Sequence, residues 1–439
     1  MPNPYLPTWE YIPDGEPRVF GDRVYVYGSH DRADSEEFCD YKLKVWSAPL
    51  DQPGNWVCHG DAFHTKPDED HESDVDWTQN CLYAPDVVEN NGKYYLYAYI
   101  LNTKGCVGVS DKPEGPFKVL SQYKYNIPNH YDNGTFIDPG VLVDDDKRVY
   151  VYCGFQGSYM CELDSENMYE VIDGTYQEDI IPVTGGEDGF FEACSPRKVG
   201  DTYYMIYSPA IGSRLDYATS KSPTGPFEYR GTIVDNGVDY PGGNNHGSIC
   251  CIKGQWYIFY HRMTNGTTMS RRGCVERIEI LPDGTIPQVE MTSLGFDESL
   301  NPYQITPADT ACVLKGGCFI TEINSFERVI TDITNGCVMG WKYFDFGEDY
   351  TNGTMELQMK VNPRGCSGKF HVWIDDPASG KEVGTLDFDM GSTVLSGRVE
   401  MVTGRHAVYF VAEQRYTGWI RENWHNRPLV DIVSFVFRK

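Results

Sequence analysis

Asn91-GKYYLYAY is a turn followed by a strand in which tyrosines lie among apolar residues, and four other segments repeat this pattern. The five copies are Gly21-DRVYVYGS, Asn91-GKYYLYAY, Asp146-KRVYVYCG, Gly200-DTYYMIYS and Lys253-GQWYIFYH. The last four begin at residues 91, 146, 200 and 253, a spacing of 53 to 55 residues. The first gap is longer and contains the acidic stretch Lys66-PDEDHESDVDW, which predicts a loop insertion. A turn followed by a short Tyr-rich run is typical of a β-strand.

The repeat period indicates how these strands are arranged. A period of about fifty residues with several strands per unit is typical of a β-propeller, in which each repeat forms one blade. Two later segments, Gly108-VSDKPEGPFKVL and Ala218-TSKSPTGPFEYRG, are near duplicates and predict hairpins in equivalent places. The repeat therefore predicts an all-β chain with five blades. An ordinary β-sandwich would not explain both the repeated strand and the repeated turn.

One polar residue precedes each Tyr-rich strand at nearly the same distance. The distance to the middle tyrosine is 11, 9, 12, 12 and 11 residues for the pairs Asp14–Tyr25, Asp86–Tyr95, Asp138–Tyr150, Glu192–Tyr204 and His246–Tyr257. In a propeller the first strand of each blade lines the central channel, so these side chains should converge on the axis. Carboxylates held that close raise one another's pKa. Because such a cluster costs folding free energy, it favours a functional site.

Composition excludes several classes of function. The formal net charge is -27, which argues against nucleic acid and anionic membrane as partners. No stretch reaches the ~18–20 apolar residues of a membrane span. We find no dinucleotide fingerprint, phosphate loop, nucleophile elbow or zinc-protease motif, and we expect no organic cofactor. The fourteen cysteines contain no CxxC pair, and with no signal peptide evident they favour free thiols and a cytoplasmic protein.

Carboxylates without a cofactor or nucleophilic triad suggest general acid–base hydrolysis, and glycoside hydrolysis needs one protonated and one ionised carboxyl. Glu192 follows two phenylalanines, a setting that keeps a carboxyl protonated and suits the acid. Asp14 lies in a more polar turn, which suits the ionised base. Opposite positions across an axis leave room for a water, which predicts inversion at the anomeric carbon.

The segments Asn3-PYL, Tyr83-APDV, Ile137-DP, the Glu192 segment and Asn245-HG together resemble glycoside hydrolase family 43, over residues 1–294. The resemblance implies a five-bladed propeller, Asp14 as base, Asp138 as the residue that tunes the acid, and Glu192 as acid. It also implies that His246 helps to hold a calcium ion or a water network in the channel. Two further roles follow from it: Asp86 is structural, and Arg271, with Arg272 as the alternative, reaches toward the acid and the sugar.

Several residues keep two interpretations. Glu16 competes with Asp14 as the base, because many relatives have Asp followed directly by Pro where this chain has Asp14-Gly15-Glu16-Pro17. Tyr83 stands where many relatives have Trp, at the sugar pocket, and Trp77 could wall that pocket or pack between blades. His30 and Asp31 could contact the sugar, but a role in closing a turn is favoured. His64 and His71 could bind a metal, but a solvated acidic loop is favoured.

The Tyr-rich repeat stops near Leu294, and alternating runs such as Thr354-MELQMKV and His406-AVYFVAE follow. Alternation with turns predicts a β-sandwich over 325–439, joined by a linker and sandwich start at 295–324. This part resembles a family 6 carbohydrate-binding module, a jelly roll. Trp419 and Trp424 could stack on sugars or pack against the propeller, and packing is favoured.

The resemblance to family 43 implies an exo-acting enzyme that releases xylose, arabinose or both from xylan-derived oligosaccharides. An arabinanase or exo-galactanase on the same fold is the alternative enzyme, and a catalytically silent sugar-binding propeller is the alternative from another class. The presence of all three acids argues against the silent propeller. The sequence leaves the oligomeric state, the linkage and the metal open.

Overall fold

The structure is a computed structural model that describes residues 1–33, 35–103, 105–122, 136–181, 186–348, 353–415 and 427–439. Within these ranges the chain forms β-strands and a single 3-10 helix, Ala308–Thr310. The predicted all-β class is therefore confirmed. No helical segment among these residues has the length and apolar character needed to cross a membrane.

The N-terminal two thirds of the chain forms five antiparallel sheets, each made of strands consecutive in sequence. Sheets 1 to 4 have four strands and sheet 5 has three. In chain order the strands are β1 Glu16–Phe20, β2 Arg23–Tyr27, β3 Lys42–Pro49, β4 Val57–His64, β5 Leu82–Asn90, β6 Lys93–Ile100, β7 Cys106–Ser110, β8 Lys118–Gln122, β9 Gly140–Val143, β10 Val149–Cys153, β11 Tyr159–Leu163, β12 Gln177–Glu178, β13 Phe190–Val199, β14 Thr202–Pro209, β15 Arg214–Ser220, β16 Glu228–Asp235, β17 Ser248–Ile252, β18 Gln255–Thr264 and β19 Thr267–Ile278.

The five Tyr-rich segments are the second strands of these sheets: β2, β6, β10, β14 and β18. Each follows a tight turn whose residues have positive φ, such as Asn91 at 52° and Gly92 at 76°. Such turns match the twist of a hairpin and need residues that tolerate left-handed backbone. The tyrosines are mostly buried between neighbouring sheets, with Tyr27, Tyr97 and Tyr152 fully inaccessible to solvent.

The first strands of the five sheets lie beside one another. β1 contacts both β5 and β17, and β9 contacts both β5 and β13. β13 and β17 are joined by a hydrogen bond of 2.5 Å between the hydroxyls of Ser195 and Ser248. Since the first strands lie side by side, the residues that precede them are brought close together.

An N-terminal segment, residues 3–11, ties distant parts of the chain together. The Asn3 side chain donates to the Val275 carbonyl at 2.8 Å and accepts from the Val275 amide at 2.9 Å. The Tyr5 amide donates to the Gly273 carbonyl at 3.2 Å. Farther along, the Tyr11 hydroxyl accepts from the Arg328 guanidinium at 3.0 Å. The segment therefore links sheet 1, sheet 5 and the C-terminal sheets.

The C-terminal part consists of two antiparallel sheets, of six and five strands. The strands are β20 Thr306–Pro307, β21 Val313–Lys315, β22 Phe319–Asn324, β23 Glu327–Thr331, β24 Val338–Asp345, β25 Thr354–Pro363, β26 Gly368–Ile374, β27 Lys381–Phe388, β28 Val394–Glu400, β29 Arg405–Gln414 and β30 Val430–Arg438. β25 alternates buried and exposed side chains, as its sequence predicts for a half-buried strand. Strands β20 to β22 lie before residue 325 and already pair with these sheets.

One apolar cluster joins the C-terminal sheets to sheets 4 and 5. It contains Trp341 and Phe435 from the former and Tyr204 and Ile258 from the latter. A buried ion pair reinforces the contact, because the Arg272 guanidinium lies 2.9 Å from Asp309. Trp419 and Trp424 fall outside the described residues.

Candidate active site

A cavity of about 350 Å³ opens where the segments before the first strands meet. Among the residues that line it are six that the sequence singled out: Asp14, Tyr83, Asp138, Glu192, His246 and Arg271. Five come from the first strands of the five sheets or from the turns just before those strands, and Arg271 comes from the last strand of sheet 5. The register of the repeat therefore brings together groups that lie up to 257 residues apart in sequence.

Left-handed backbone aims several of these side chains. Asp14 has a φ of 56° and Asp138 a φ of 51°, and Ala193, next to Glu192, has a φ of 66°. Aspartate tolerates this region better than most residues, whereas alanine there is strained. The pairing of β13 with β14 is also irregular on both sides of Glu192. Bulges of this kind re-aim a side chain at the end of a strand, and here the side chain is directed into the cavity.

Asp14 is held as a carboxylate by its neighbours. One oxygen accepts from the Arg271 guanidinium at 2.8 Å, and the other accepts from the Ser29 hydroxyl at 2.6 Å. Burial opposes the charge, but Arg271 and then the two histidines His261 and His246 outweigh it, so the pKa of Asp14 lies well below its usual range. Asp14 is thus an ionised acceptor at any physiological pH.

Arg271 is itself fixed by a residue for which the sequence favoured a turn role. Asp31 accepts two hydrogen bonds from the guanidinium, at 2.8 and 2.9 Å, and a third from the Arg271 amide at 2.9 Å. The ring of Phe38 lies against the same guanidinium, with 5.0 Å between the ring centroid and Cζ. A bidentate pair combined with a stacked ring holds the guanidinium in one orientation.

Asp138 and Glu192 form a second pair with the opposite electrostatic character. Burial, followed by the charge of Asp14, raises the pKa of Glu192 to about 7, with Arg271 opposing the shift. Burial, followed by the charges of Glu192 and Asp14, raises the pKa of Asp138 well above its usual range. Two such coupled carboxyls retain a proton near neutral pH. Asp138 also accepts a hydrogen bond from the Ala193 amide at 3.0 Å, next to Glu192 in the chain.

His246 lies among three carboxylates at distances longer than a direct hydrogen bond. Its Nδ1 is 3.9 Å from Asp14 and 3.7 Å from Asp138, and its Nε2 is 3.9 Å from Glu16. Burial lowers the pKa of His246 to about 4, with the neighbouring carboxylates opposing the shift. The ring is therefore neutral at physiological pH and can both donate and accept a hydrogen bond.

Glu16 and Asp86 lie behind the cavity and do not line it. Glu16 accepts from the Arg197 guanidinium at 2.7 Å and from Ser195 at 3.1 Å. Asp86 accepts from Arg18 and from the amide of Val141, 2.8 Å away. Asp86 on β5 thus joins the neighbouring first strands β1 and β9, whereas Glu16 on β1 joins β13, which is not a neighbour of β1. Burial raises the pKa of Glu16, with Arg197 opposing.

The structure places the other candidates as follows. Trp77 packs against the apolar core shared by sheets 1 and 2 and is not among the cavity-lining residues. Arg272 points to Asp309, so it is Arg271 and not Arg272 that reaches the cavity. His30 pairs with Glu10 at 2.8 Å.

Three phenylalanines, Phe38, Phe155 and Phe191, line the cavity and were not assigned to the pocket from sequence. Phe155 and Phe191 contact each other edge to face, with ring centroids 4.8 Å apart. Aromatic walls of this kind stack on the apolar face of a sugar ring while polar groups bind its hydroxyls. An ionised carboxylate facing a protonated one between such walls suits acid–base cleavage of a glycosidic bond.

Comparison with known proteins agrees with this chemistry. A family model described as glycosyl hydrolases family 43 matches residues 18–286, more than half of the chain. The chain belongs to this family. The match includes Asp138, Glu192, His246 and Arg271, and it begins just after Asp14. The protein is therefore a glycoside hydrolase.

The family 43 enzyme is similar to characterised relatives along most of its length. It is 39% identical to a xylosidase/arabinosidase of Thermoclostridium stercorarium over 471 aligned positions, which cover 93% of this chain and 95% of that protein. The GH43_1 enzyme from Xanthomonas citri complexed with xylotriose matches 66% of this chain and 94% of its own, at 28% identity and a TM-score of 0.55. An arabinoxylan arabinofuranohydrolase from Bacillus subtilis in complex with cellotetraose shares the fold over all of this chain and 97% of its own, at 24% identity and a TM-score of 0.56.

Proposed function

We propose that this family 43 enzyme releases xylose, arabinose or both from the ends of xylan- or arabinoxylan-derived oligosaccharides, with inversion at the anomeric carbon. The observation that carries the proposal is the opposed pair of electrostatic environments in one cavity: Asp14 ionised by Arg271, and Glu192 protonated beside Asp138. Support for the substrate class comes from the relative at 39% identity, a xylosidase/arabinosidase. A cavity near the small end of the usual range suits the end of a sugar chain.

In the proposed mechanism each side chain has one task. Glu192 donates its proton to the leaving glycosidic oxygen, and Asp14 removes a proton from the water that attacks the anomeric carbon. Arg271 keeps Asp14 ionised, and Asp31 keeps Arg271 in place. Asp138 is a positioning residue, because it accepts from the Ala193 amide next to the acid and its own pKa is raised by burial and by the neighbouring Glu192.

The proposal extends to the fold. The five sheets would be the blades of a five-bladed β-propeller over residues 1–294, supported by the first strands that lie side by side and by the repeat. The two C-terminal sheets would form a jelly roll of the family 6 carbohydrate-binding type over 325–439, after a linker and sandwich start at 295–324 that contains β20 to β22. Tyr83, which lines the cavity, would contact the sugar, whereas Trp77 has the packing role.

The calcium ion implied by the family resemblance stays a proposal. His246 and the Glu16 oxygen that has no hydrogen-bond partner within the described residues would hold it. The ion would supply a fixed positive charge behind the cavity. A cytoplasmic location is proposed on the fourteen free cysteines.

A panel of nitrophenyl glycosides tests the substrate. We expect turnover of the β-xyloside, the α-L-arabinofuranoside or both, and little turnover of the β-galactoside. Proton NMR of the first product from xylobiose or arabinoxylan oligosaccharides should show the inverted anomer. A retained anomer would refute the water-mediated mechanism. Turnover confined to internal bonds of arabinan would favour the arabinanase alternative.

The pH profile of kcat/KM should follow the two carboxyl environments. Glu192 must be protonated, so activity is present below its pKa of about 7 and falls as pH rises through that value. Asp14 must be ionised, and its lowered pKa places the acidic limb below the usual carboxyl range of about 4. Arg271→Met removes the charge that offsets burial, so the acidic limb should move to higher pH. An unchanged acidic limb in this variant would contradict the role given to Arg271.

A further inference from the structure

Four metal-binding side chains meet at the end of β4, on the outer edge of sheet 1 and outside the proposed active site. Asp61 and His64 belong to β4, and Asp68 and His71 belong to the loop that follows it. One ligand atom from each of the four residues lies within 4.8 Å of the other three. Among the residues that the structure describes, no other group of three or more His, Cys, Asp or Glu side chains meets this distance.

The distances between the histidine nitrogens and the carboxylate oxygens are too long for good hydrogen bonds. The His64 Nε2 lies 3.5 Å from Asp61, and the His64 Nδ1 lies 3.8 Å from Asp68. The His71 Nδ1 lies 3.5 Å from Asp68, and the two imidazole rings stack with centroids 4.4 Å apart. The two rings and two carboxylates therefore lie close together, with ring-to-carboxylate contacts longer than an ordinary hydrogen bond.

His64 supplies an independent observation. Its side chain is only 3% exposed, and its Nε2 has no hydrogen-bond partner among the described residues. A buried polar atom without a partner is costly and calls for a bound group. Because this nitrogen faces Asp61, the atom that lacks a partner points into the cluster.

We propose that Asp61, His64, Asp68 and His71 bind zinc or a divalent metal ion with similar ligand preferences. Two imidazoles with two carboxylates suit zinc, whereas calcium and magnesium take most of their ligands from oxygen. Bonds of about 2.0–2.1 Å in a tetrahedron place ligand atoms roughly 3.4 Å apart, close to the 3.5 Å that separates His64 Nε2 from Asp61 and His71 Nδ1 from Asp68. Asp68 and His71 are 42% and 44% exposed and can close in on the ion.

The surrounding backbone is already organised for this task. Asp68 accepts hydrogen bonds from the amides of Asp70 and His71, at 2.9 and 2.8 Å. The carboxylate of Asp74 accepts from the His64 amide at 2.8 Å. Lys42 is the competing cation, with its Nζ 3.3 Å from Asp61. A bound ion fixes the loop between β4 and β5, so we assign it a stabilising role and no part in catalysis.

Metal titration of the full chain tests the site. Protein stripped with a chelator is dialysed against zinc, and against cobalt for its tetrahedral absorption spectrum. We expect one zinc per chain, a higher Tm with zinc, and no displacement by calcium. His71→Ala and Asp68→Asn, both at exposed positions that tolerate change, should weaken zinc binding at least about tenfold and abolish the cobalt spectrum.

His406→Ala is the matched control, since His406 pairs with the single carboxylate of Asp375 and lies in the C-terminal sheets. This variant should bind zinc as the parent does. Substoichiometric zinc in the parent, or unchanged zinc binding in both cluster variants, would overturn the proposal. Hydrolysis by the metal-free protein should equal that of the zinc-bound protein, so failure of this site and failure of the glycosidase mechanism are separable.

Discussion

Asp14→Asn should lower kcat about 10²- to 10⁴-fold on xylan-derived oligosaccharides while leaving the fold intact. The amide cannot take a proton from water, yet its oxygen can still accept the hydrogen bond from Arg271, and its NH2 group can donate to the Ser29 hydroxyl in place of the bond that Ser29 donates to Asp14. The rate is measured by reducing-sugar release, and circular dichroism with thermal melting checks the fold.

Glu16→Gln is the matched control for this prediction, because Glu16 is the competing candidate for the base. Its carboxylate binds Arg197 and Ser195 and does not line the cavity. We expect a lower Tm, because Arg197 loses its buried counter-ion. We also expect a kcat within about tenfold of the parent, below the range given for loss of a general base. A larger loss of kcat in Glu16→Gln than in Asp14→Asn would transfer the role of base to Glu16.

Glu192→Gln should show a loss that depends on the leaving group. An alkyl or sugar leaving group needs the proton of Glu192, so kcat/KM on xylobiose should fall about 10²- to 10⁴-fold. A nitrophenolate leaves readily without a proton, so the loss on nitrophenyl xyloside should be much smaller. The fall in activity near pH 7 should also disappear with the group whose pKa is about 7.

Glu166→Gln provides the comparison, since Glu166 is exposed in the loop after β11 and lies away from the cavity. It should change neither substrate's kinetics. Equal losses on xylobiose and nitrophenyl xyloside in Glu192→Gln would contradict the assignment of Glu192 as the acid.

Much of the candidate site could be predicted from the sequence, because its residues occupy equivalent positions in the repeat. Asp14, Asp138, Glu192 and His246 do line one cavity, because equivalent positions before each Tyr-rich strand meet where the sheets meet. Asp86 follows the same register but lies behind the cavity, tied to Arg18. The register thus locates a residue near the axis but not its depth along it.

Contacts between segments far apart in sequence could not be predicted from the sequence. Nothing local indicates that Asp31 binds Arg271, 240 residues later, or that Phe38 stacks on the same guanidinium. The paired histidines after β4 show the same difficulty. Their acidic neighbours favour a solvated loop, and only the packing of sheet 1 shows that His64 is buried.

The N-terminal segment has a consequence for synthesis. Asn3 bonds to Val275, a sequence separation of 272 residues, so the N-terminal segment cannot pair with β19 until that strand has emerged from the ribosome. At roughly 5–20 residues per second this leaves the growing chain with an unpaired edge for about 14 to 54 s. Exposed strand edges promote pairing between chains. Pairing between growing chains during translation is therefore a hazard that this architecture creates.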